Sequence, residues 1–395
     1  MAVNNMTTEQ AYTFMTALYE EATGKQASIV VKDTGTFTTV GQAVLKTGYD
    51  NVMSSISKVL GRTIFAVRPY TAKFKGIDAS SERWGAITRE ISFADTGIEQ
   101  DERIPLTDGS SVDMFKVKKP VVLELNFVGE NVYQKHITIF RDQLDTAFAS
   151  PADFAAFISG VMTTFYNELE QYREAQSRDA LINFIAGKKA GDSANVINVL
   201  QEYYNETGVQ LTPTTMYNVT NFKPFTEWLY SFVNTLTDRM SERTELFHTK
   251  ITNKPIMRHT PYNKLKMYMS AGVANKIDHL ALANIFNPEK LKMVDFEKVT
   301  FWQNINDPYK VSAKPTYLQA NGTLKTETNA VTVANIVGLL FDEDAIAITK
   351  KSSWMGNSPF NVAGGYYNVY AHETVQMLNN FSHNGVVLIA DTVQA

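Results

Sequence analysis

Apolar residues between positions 150 and 189, SPADFAAFISGVMTTFYNELEQYREAQSRDALINFIAGKK, recur at steps of three and four: Phe154, Phe157, Ile158, Val161, Met162, Phe165, Leu169 and Tyr172. Ser150 can cap, Pro151 suits the first helical position, and Asp153 completes a box-like start. Gly187 followed by two lysines reads as a stop signal with the charge a helix C-terminus favours. The pattern predicts one helix over 150–187, roughly 54 Å long at about 1.5 Å per residue and far longer than is usual. It is an amphipathic beam that lies on something long. A second stripe, Phe225, Trp228, Leu229, Phe232, Val233, Leu236 and Met240, predicts another helix in NFKPFTEWLYSFVNTLTDRMSER.

Elsewhere the period drops to two. VVLELNFVG sets Val121, Leu123, Leu125 and Phe127 on one face and Val122, Glu124 and Asn126 on the other, and NVYQKHITIF repeats this more loosely. KLKMYMS and KVTFWQNI read as strands around a short helix in AGVANKIDHLALANIF. Near the C-terminus AVTVANIVGLLFDEDAIAIT, GGYYNVYAHETVQMLNNF and NGVVLIADT read as strands, bent at Gly364-Gly365 and joined by turn residues such as His383-Asn384-Gly385. Within NVAGGYYNVYAHE, Tyr366, Asn368 and Tyr370 share one strand face and Tyr367, Val369 and Ala371 the other. Packing is therefore favoured over a ligand loop.

Two regions break both patterns. Residues 1–60 mix weak helical stretches with SIVVKDTGTFTTVGQAVL, which is rich in Thr and Gly and reads as an arm rather than the middle of a core. Between Tyr70 and Ser111 the chain is charged, rich in turn residues and poor in contiguous apolar residues. Such a length inside a compact domain reads as a functional protrusion. Lys73, Lys75, Glu82, Arg83, Trp84 and Arg89 within it are expected at contacts between subunits, because aromatics and arginines framed by opposite charges suit a protein interface.

Composition narrows the function. The chain has 395 residues, 44% hydrophobic and 20% charged, with a net charge of −4. This balance fits a folded α+β protein and argues against tight sequence-independent nucleic-acid binding. With 0 cysteines there is no disulfide, catalytic thiolate or cysteine-held metal, in keeping with a reducing cytosol. The first residues carry no secretory-signal pattern, and no window has the roughly 20 apolar residues of a membrane span. None of the six histidines has helical zinc spacing, and neither a phosphate loop nor a GxSxG elbow is present. Asp342-Glu343-Asp344 reads as a solvated turn between two strands. Catalytic, cofactor and metal residues are therefore expected to be none.

The order of these parts resembles the major capsid protein of tailed bacteriophages, the Hong Kong 97 fold. VGLLFDEDAIAITKKSSWMGNSPFNVAGGYYNVYAHETVQMLNNFSHNGVVLIAD, near residues 335–391, carries the closest local likeness. The resemblance implies an N-terminal arm (1–60), an extended β-hairpin loop with flanking peripheral-domain strands (61–145), and a peripheral-domain spine helix (146–190). An axial domain (191–330) and C-terminal strands shared by both domains (331–395) complete it. It implies a structural, non-enzymatic protein of the virion. Copies assemble in the host cytoplasm as pentamers and hexamers of an icosahedral shell around double-stranded DNA, which they contact weakly and nonspecifically. Portal, scaffolding and decoration proteins are implied partners; a membrane is not. Some members cross-link lysine to asparagine between subunits; Lys73 or Lys75 with Asn357 or Asn361 match by residue type alone. The alternatives are an encapsulin-type compartment, a tail-tube or sheath protein, or an α+β enzyme with a site drawn from His248, Glu242 and Asp342.

Overall fold

Three helices open the chain: α1 (Thr8–Thr23), α2 (Thr34–Leu45) and α3 (Tyr49–Arg62). The structure is a computed structural model and describes residues 7–26, 31–62, 73–79, 87–252, 254–276 and 296–394. Local chemistry fixes the helix starts. Thr7 and Gln10 exchange side-chain-to-backbone hydrogen bonds at 3.3 and 2.9 Å in a capping box. Asp33 accepts from the Thr36 amide at 2.7 Å. The segment 28–45, expected as an arm rather than the middle of a core, packs into the body over its described part. Although α2 is rich in Thr and Gly, Phe37, Val40 and Val44 fall on one face and are all buried.

A short 3-10 turn (Lys75–Ile77) precedes β1 (Ile87–Phe93), which pairs antiparallel with β2 (Val122–Val128). Then come β3 (Asn131–Phe140), α4 (Arg141–Ala147) and the long α5 (Pro151–Gly191). Ser150 accepts from the Asp153 amide at 3.1 Å and Pro151 opens the helix, as its cap residues predict. Gly187 does not end it. A Cβ there would lie 2.5 Å from Phe381 Cζ and 3.1 Å from Tyr317 Cβ, so the glycine serves close packing inside the helix. Lys188 is not a solvated end charge either: fully buried, its ammonium donates to Asp192 Oδ2 at 2.9 Å and to the Phe247 carbonyl at 3.3 Å.

After α5 follow β4 (Val196–Asn198), α6 (Val199–Thr207), α7 (Val219–Ser241), β5 (Leu265–Ser270) and β6 (Phe296–Val299). Of the helix expected in AGVANKIDHLALANIF, residues 271–276 are helical and the rest lies outside the described residues. Short strands β7 (Val311–Ala313), β8 (Thr316–Leu318), β9 (Leu324–Thr326) and β10 (Val331–Val333) lead to β11 (Ile336–Asp342), β12 (Ile346–Asn357), β13 (Tyr366–Asn379) and β14 (Gly385–Ile389).

Two sheets organise the body. In the five-stranded sheet β4-β14-β11-β5-β6, the central β11 is antiparallel to β14 and β5, while the outer pairs are parallel. Helix α7 covers one face, with Phe225, Leu229, Val233 and Leu236 against Met267, Leu340, Val386 and Leu388. The second half of α5 covers the other, with Leu181, Phe184 and Ile185 against Leu339, Phe341 and Val387. Burial on both faces accounts for the continuous apolar runs VGLLF and VVLI. The second sheet, β12-β13-β3, is antiparallel. Its Ile139, Tyr367 and Val369 join Phe14, Phe37, Val52 and Phe154 in a core shared by α1, α2, α3 and the start of α5. Tyr367, Val369 and Ala371 point inward and Tyr366, Asn368 and Tyr370 lie on the half-buried face, the alternation read from the sequence.

Candidate functional site

From 96 to 122 every residue of the β1–β2 hairpin is exposed. The paired stem runs from Ile87 opposite Val128 to Phe93 opposite Val122. Alternation holds in β2, where Leu123 is buried and Leu125 and Phe127 are half-buried while Val122, Glu124, Asn126 and Val128 face out. Beyond the stem, ion pairs join the two arms: Lys118 to Glu99 and Lys116 to Glu102, each at 2.8 Å. Thr107-Asp-Gly-Ser closes a turn, with the Ser110 amide donating to the Thr107 carbonyl at 3.0 Å and Gly109 at φ 87°. A side chain at that angle would be strained.

The tip is not merely polar. Ile98, Ile104, Met114, Phe115 and Val117 stand in solvent, Phe115 at 80% exposure. Scattered apolar residues are ordinary on a surface, but several on one projecting ribbon mark a contact surface.

Firm anchors hold the root of the ribbon. Glu90 of β1 reaches into the body, where its Oε1 accepts from Arg258 Nη2 at 2.8 Å and lies 3.1 Å from His383 Nε2; Asn380 donates to Oε2. Burial alone raises the Glu90 carboxyl, but the His383 hydrogen bond and the His383 and Arg258 charges together hold it down at about 2. Asp95 accepts from the Met257 amide at 3.0 Å and pairs with Arg243. Lys254 Nζ donates to the Val122 carbonyl at 2.9 Å, and Gln376 Nε2 to that of Phe127, also at 2.9 Å. A stem fixed to the body thus carries a tip that touches nothing else in the chain among the described residues.

Of the residues proposed as contacts, Arg89 lies on β1 and pairs across the stem with Glu124 at 3.1 Å. Lys73 is exposed beside α5, its amide donating to Glu174 Oε2 at 3.4 Å. Lys75 sits in the 3-10 turn. Glu82, Arg83 and Trp84 lie outside the described residues. Sequence reasoning missed the apolar tip because it counted the segment's charges; the spacing of Met114, Phe115 and Val117 was the available signal. Glu90, one more charge in that stretch of sequence, is the anchor.

The remaining polar candidates are engaged within the chain. Asp342 is buried, not solvated: it accepts from Thr260 Oγ1 at 2.7 Å and from the Asp344 amide at 2.9 Å. Ligand-type atoms of Asp342, Asp344 and His383 lie within 4.8 Å of one another, yet Asp342 and His383 are already engaged by Thr260 and Glu90. His248 is buried with Nε2 2.8 Å from the Ile256 carbonyl, and burial lowers it to about 4. Asn361 Nδ2 donates to the Tyr366 hydroxyl at 3.0 Å, inside its own turn. Among the described residues no helix is long and apolar enough to cross a membrane.

The sequence of residues 15–389 matches the family model of the Phi29-like phage major capsid protein. A comparison with curated proteins finds no match. In fold, the chain is similar to one in the capsid structure of Staphylococcus phage Andhra, with a TM-score of 0.53 at 10% identity over 84% of this chain and 87% of that one. It is likewise similar to a chain in the structure of the head fiber and inner core protein gp22 of native bacteriophage P68, with a TM-score of 0.53 at 11% identity over 83% and 87%. At such identity the likeness concerns the fold, a mixed α+β architecture of phage capsid proteins. The family match sets aside the compartment, tail and enzyme alternatives. The chain belongs to the Phi29-like phage major capsid protein family, and it is a structural virion component that forms the head shell rather than an enzyme.

Proposed function

We propose that the shell is icosahedral, built from pentamers and hexamers, and encloses the double-stranded DNA of a tailed phage, with the β1–β2 hairpin acting as the extended loop that lies on a neighbouring copy. The observation that carries this reading is the contrast within one ribbon: a stem anchored through Glu90 and Asp95, and a tip exposing Ile98, Met114, Phe115 and Val117. A second copy that covers those side chains gains about 25 cal/mol for each Å² of apolar surface removed from water.

In this reading α5 is the spine of a peripheral domain together with the β12-β13-β3 sheet. The five-stranded sheet with α6 and α7 is the core of an axial domain, and the final strands serve both. Helices α1, α2 and α3 pack on the start of α5 as part of the same domain. The net charge of −4 agrees with weak, salt-sensitive contact with DNA that is loaded from outside. Scaffolding, portal and decoration proteins are the expected further partners, and assembly takes place in the host cytoplasm.

Replacing residues 97–119 by a short Gly-Ser turn tests the reading. The expected product is a folded, soluble chain that melts as the parent does and forms no closed shells. Closed shells at the parental yield would overturn it.

A further inference from the structure

Strand β1 is inside out. Toward the body it turns polar side chains: Thr88 donates to Gln376 Oε1 at 3.1 Å, and Glu90 and Ser92 each accept from Arg258 Nη2 at 2.8 Å. Toward solvent it turns Ile87, Arg89, Ile91 and Phe93. A strand with one covered face ordinarily sets its apolar residues against the cover, and a slip of one residue would do so here. The polar anchors forbid that slip. They hold the apolar row outward.

Strand β2 widens the row. Ile87 stands opposite Val128 and Phe93 opposite Val122, and both valines also face out. Exposure runs from 40% at Val122 to 70% at Val128, with Phe93 at 63%. Between these two apolar pairs Arg89 and Glu124 neutralise each other at 3.1 Å. The outer face of the stem is therefore an apolar strip with no net charge. It lies on the paired, anchored part of the ribbon and not on the tip.

We propose that a second copy of this chain covers the outer face of the stem, Ile87, Ile91, Phe93, Val122 and Val128, through a contact distinct from that of the tip. The chain forms the head shell, where every copy has others for neighbours. Size points to the same occupant. Five side chains, each about half exposed, offer on the order of 300–500 Å², whereas a stable pair buries about 800 Å² on each partner. Such a strip is too small to join two subunits in solution, yet it suits a shell in which each subunit makes several contacts at once. Its neutrality lets another copy approach without like-charge repulsion. The inference rests on shell formation and stands whether or not the tip is also covered.

The test has two arms, both with the full chain. In the first, Ile91→Thr combined with Phe93→Thr removes apolar surface while keeping strand-favouring side chains. The expected result is melting like the parent's and a closed-shell yield at least about tenfold lower. In the second, which needs no variant, parental shells are imaged at side-chain resolution, and Ile91 and Phe93 are expected against a neighbouring copy. Closed shells at the parental yield, from a variant that melts as the parent does, overturn the proposal. So do parental shells in which the strip stands in solvent or lies under a different protein. The tip contact fails on its own residues, 97–119, so the two outcomes are read separately.

Discussion

Glu90 and Arg258 meet at 2.8 Å, and this contact joins the projecting ribbon to the body of the subunit. The two residues come from β1 and from the segment before β5, far apart in sequence, and the Glu90 side chain is only 25% exposed. Removing one partner of a charge pair so placed leaves the other uncompensated, which is costly. The pair orients the ribbon so that the apolar tip projects from the body.

The pair has a definite pH signature. Glu90 is held at about 2, below its ordinary 4.5, so its stabilisation is fully present above pH 4.5 and is lost as pH falls toward 2. That shift corresponds to about 3 kcal/mol. Glu90→Gln should destabilise the chain by that order near neutrality. The gap between variant and parent should shrink to roughly half as urea midpoints are followed from about pH 6 to about pH 3, and close only toward pH 2. A gap that stays constant over that range would show that the ionised form of Glu90 is not what anchors the stem.

Substitution of Met114, Phe115 and Val117 by serine removes apolar surface that the lone subunit leaves in water. Subunit stability should change by less than about 0.5 kcal/mol, as for surface positions in general. Closed-shell yield should fall sharply. Sedimentation separates shells from free subunits and reads both outcomes in one run.

Gly187→Ala should destabilise by about 1–3 kcal/mol, the usual range for overpacking. The added carbon would meet Phe381, whose ring is 2% exposed and stacked on Phe184 at 5.0 Å, so it has nowhere to retreat. If the space beside Gly187 were open, alanine inside the helix would instead raise thermal stability, by about 1 kcal/mol.

Phe154→Ala tests whether α1 and α2 belong to the folded body. Its ring lies 5.6 Å from Phe14, 5.7 Å from Phe37 and 5.3 Å from Phe148. Truncation should cost about 3–5 kcal/mol and expose residues 8–62 to protease ahead of the rest.

These positions also show what the sequence could and could not reveal. Helix α5 was legible because Ser150, Pro151 and the apolar steps act locally. Its end was not, because Gly187 answers to Phe381 from the far end of the chain. The α2 stripe of Phe37, Val40 and Val44 was thin enough among threonines to pass for an arm; only its neighbours in space make it core. Alternation in 366–371 was readable, as strand parity is a property of the backbone. Glu90 looked like one surface charge among many, since its partners Arg258 and His383 are brought to it only by the fold. The protrusion was legible by its lack of a core pattern; its apolar tip was not, because Met114, Phe115 and Val117 lie just beyond the charged stretch and share no helical or strand period.

In the proposed shell, sister subunits supply the burial that the ribbon tip lacks. Side-chain-resolution imaging of assembled shells measures this directly, through the solvent exposure of Met114, Phe115 and Val117. All three are expected to be covered by a neighbouring copy. A closed shell in which they remain in solvent as they do in the single chain would contradict it.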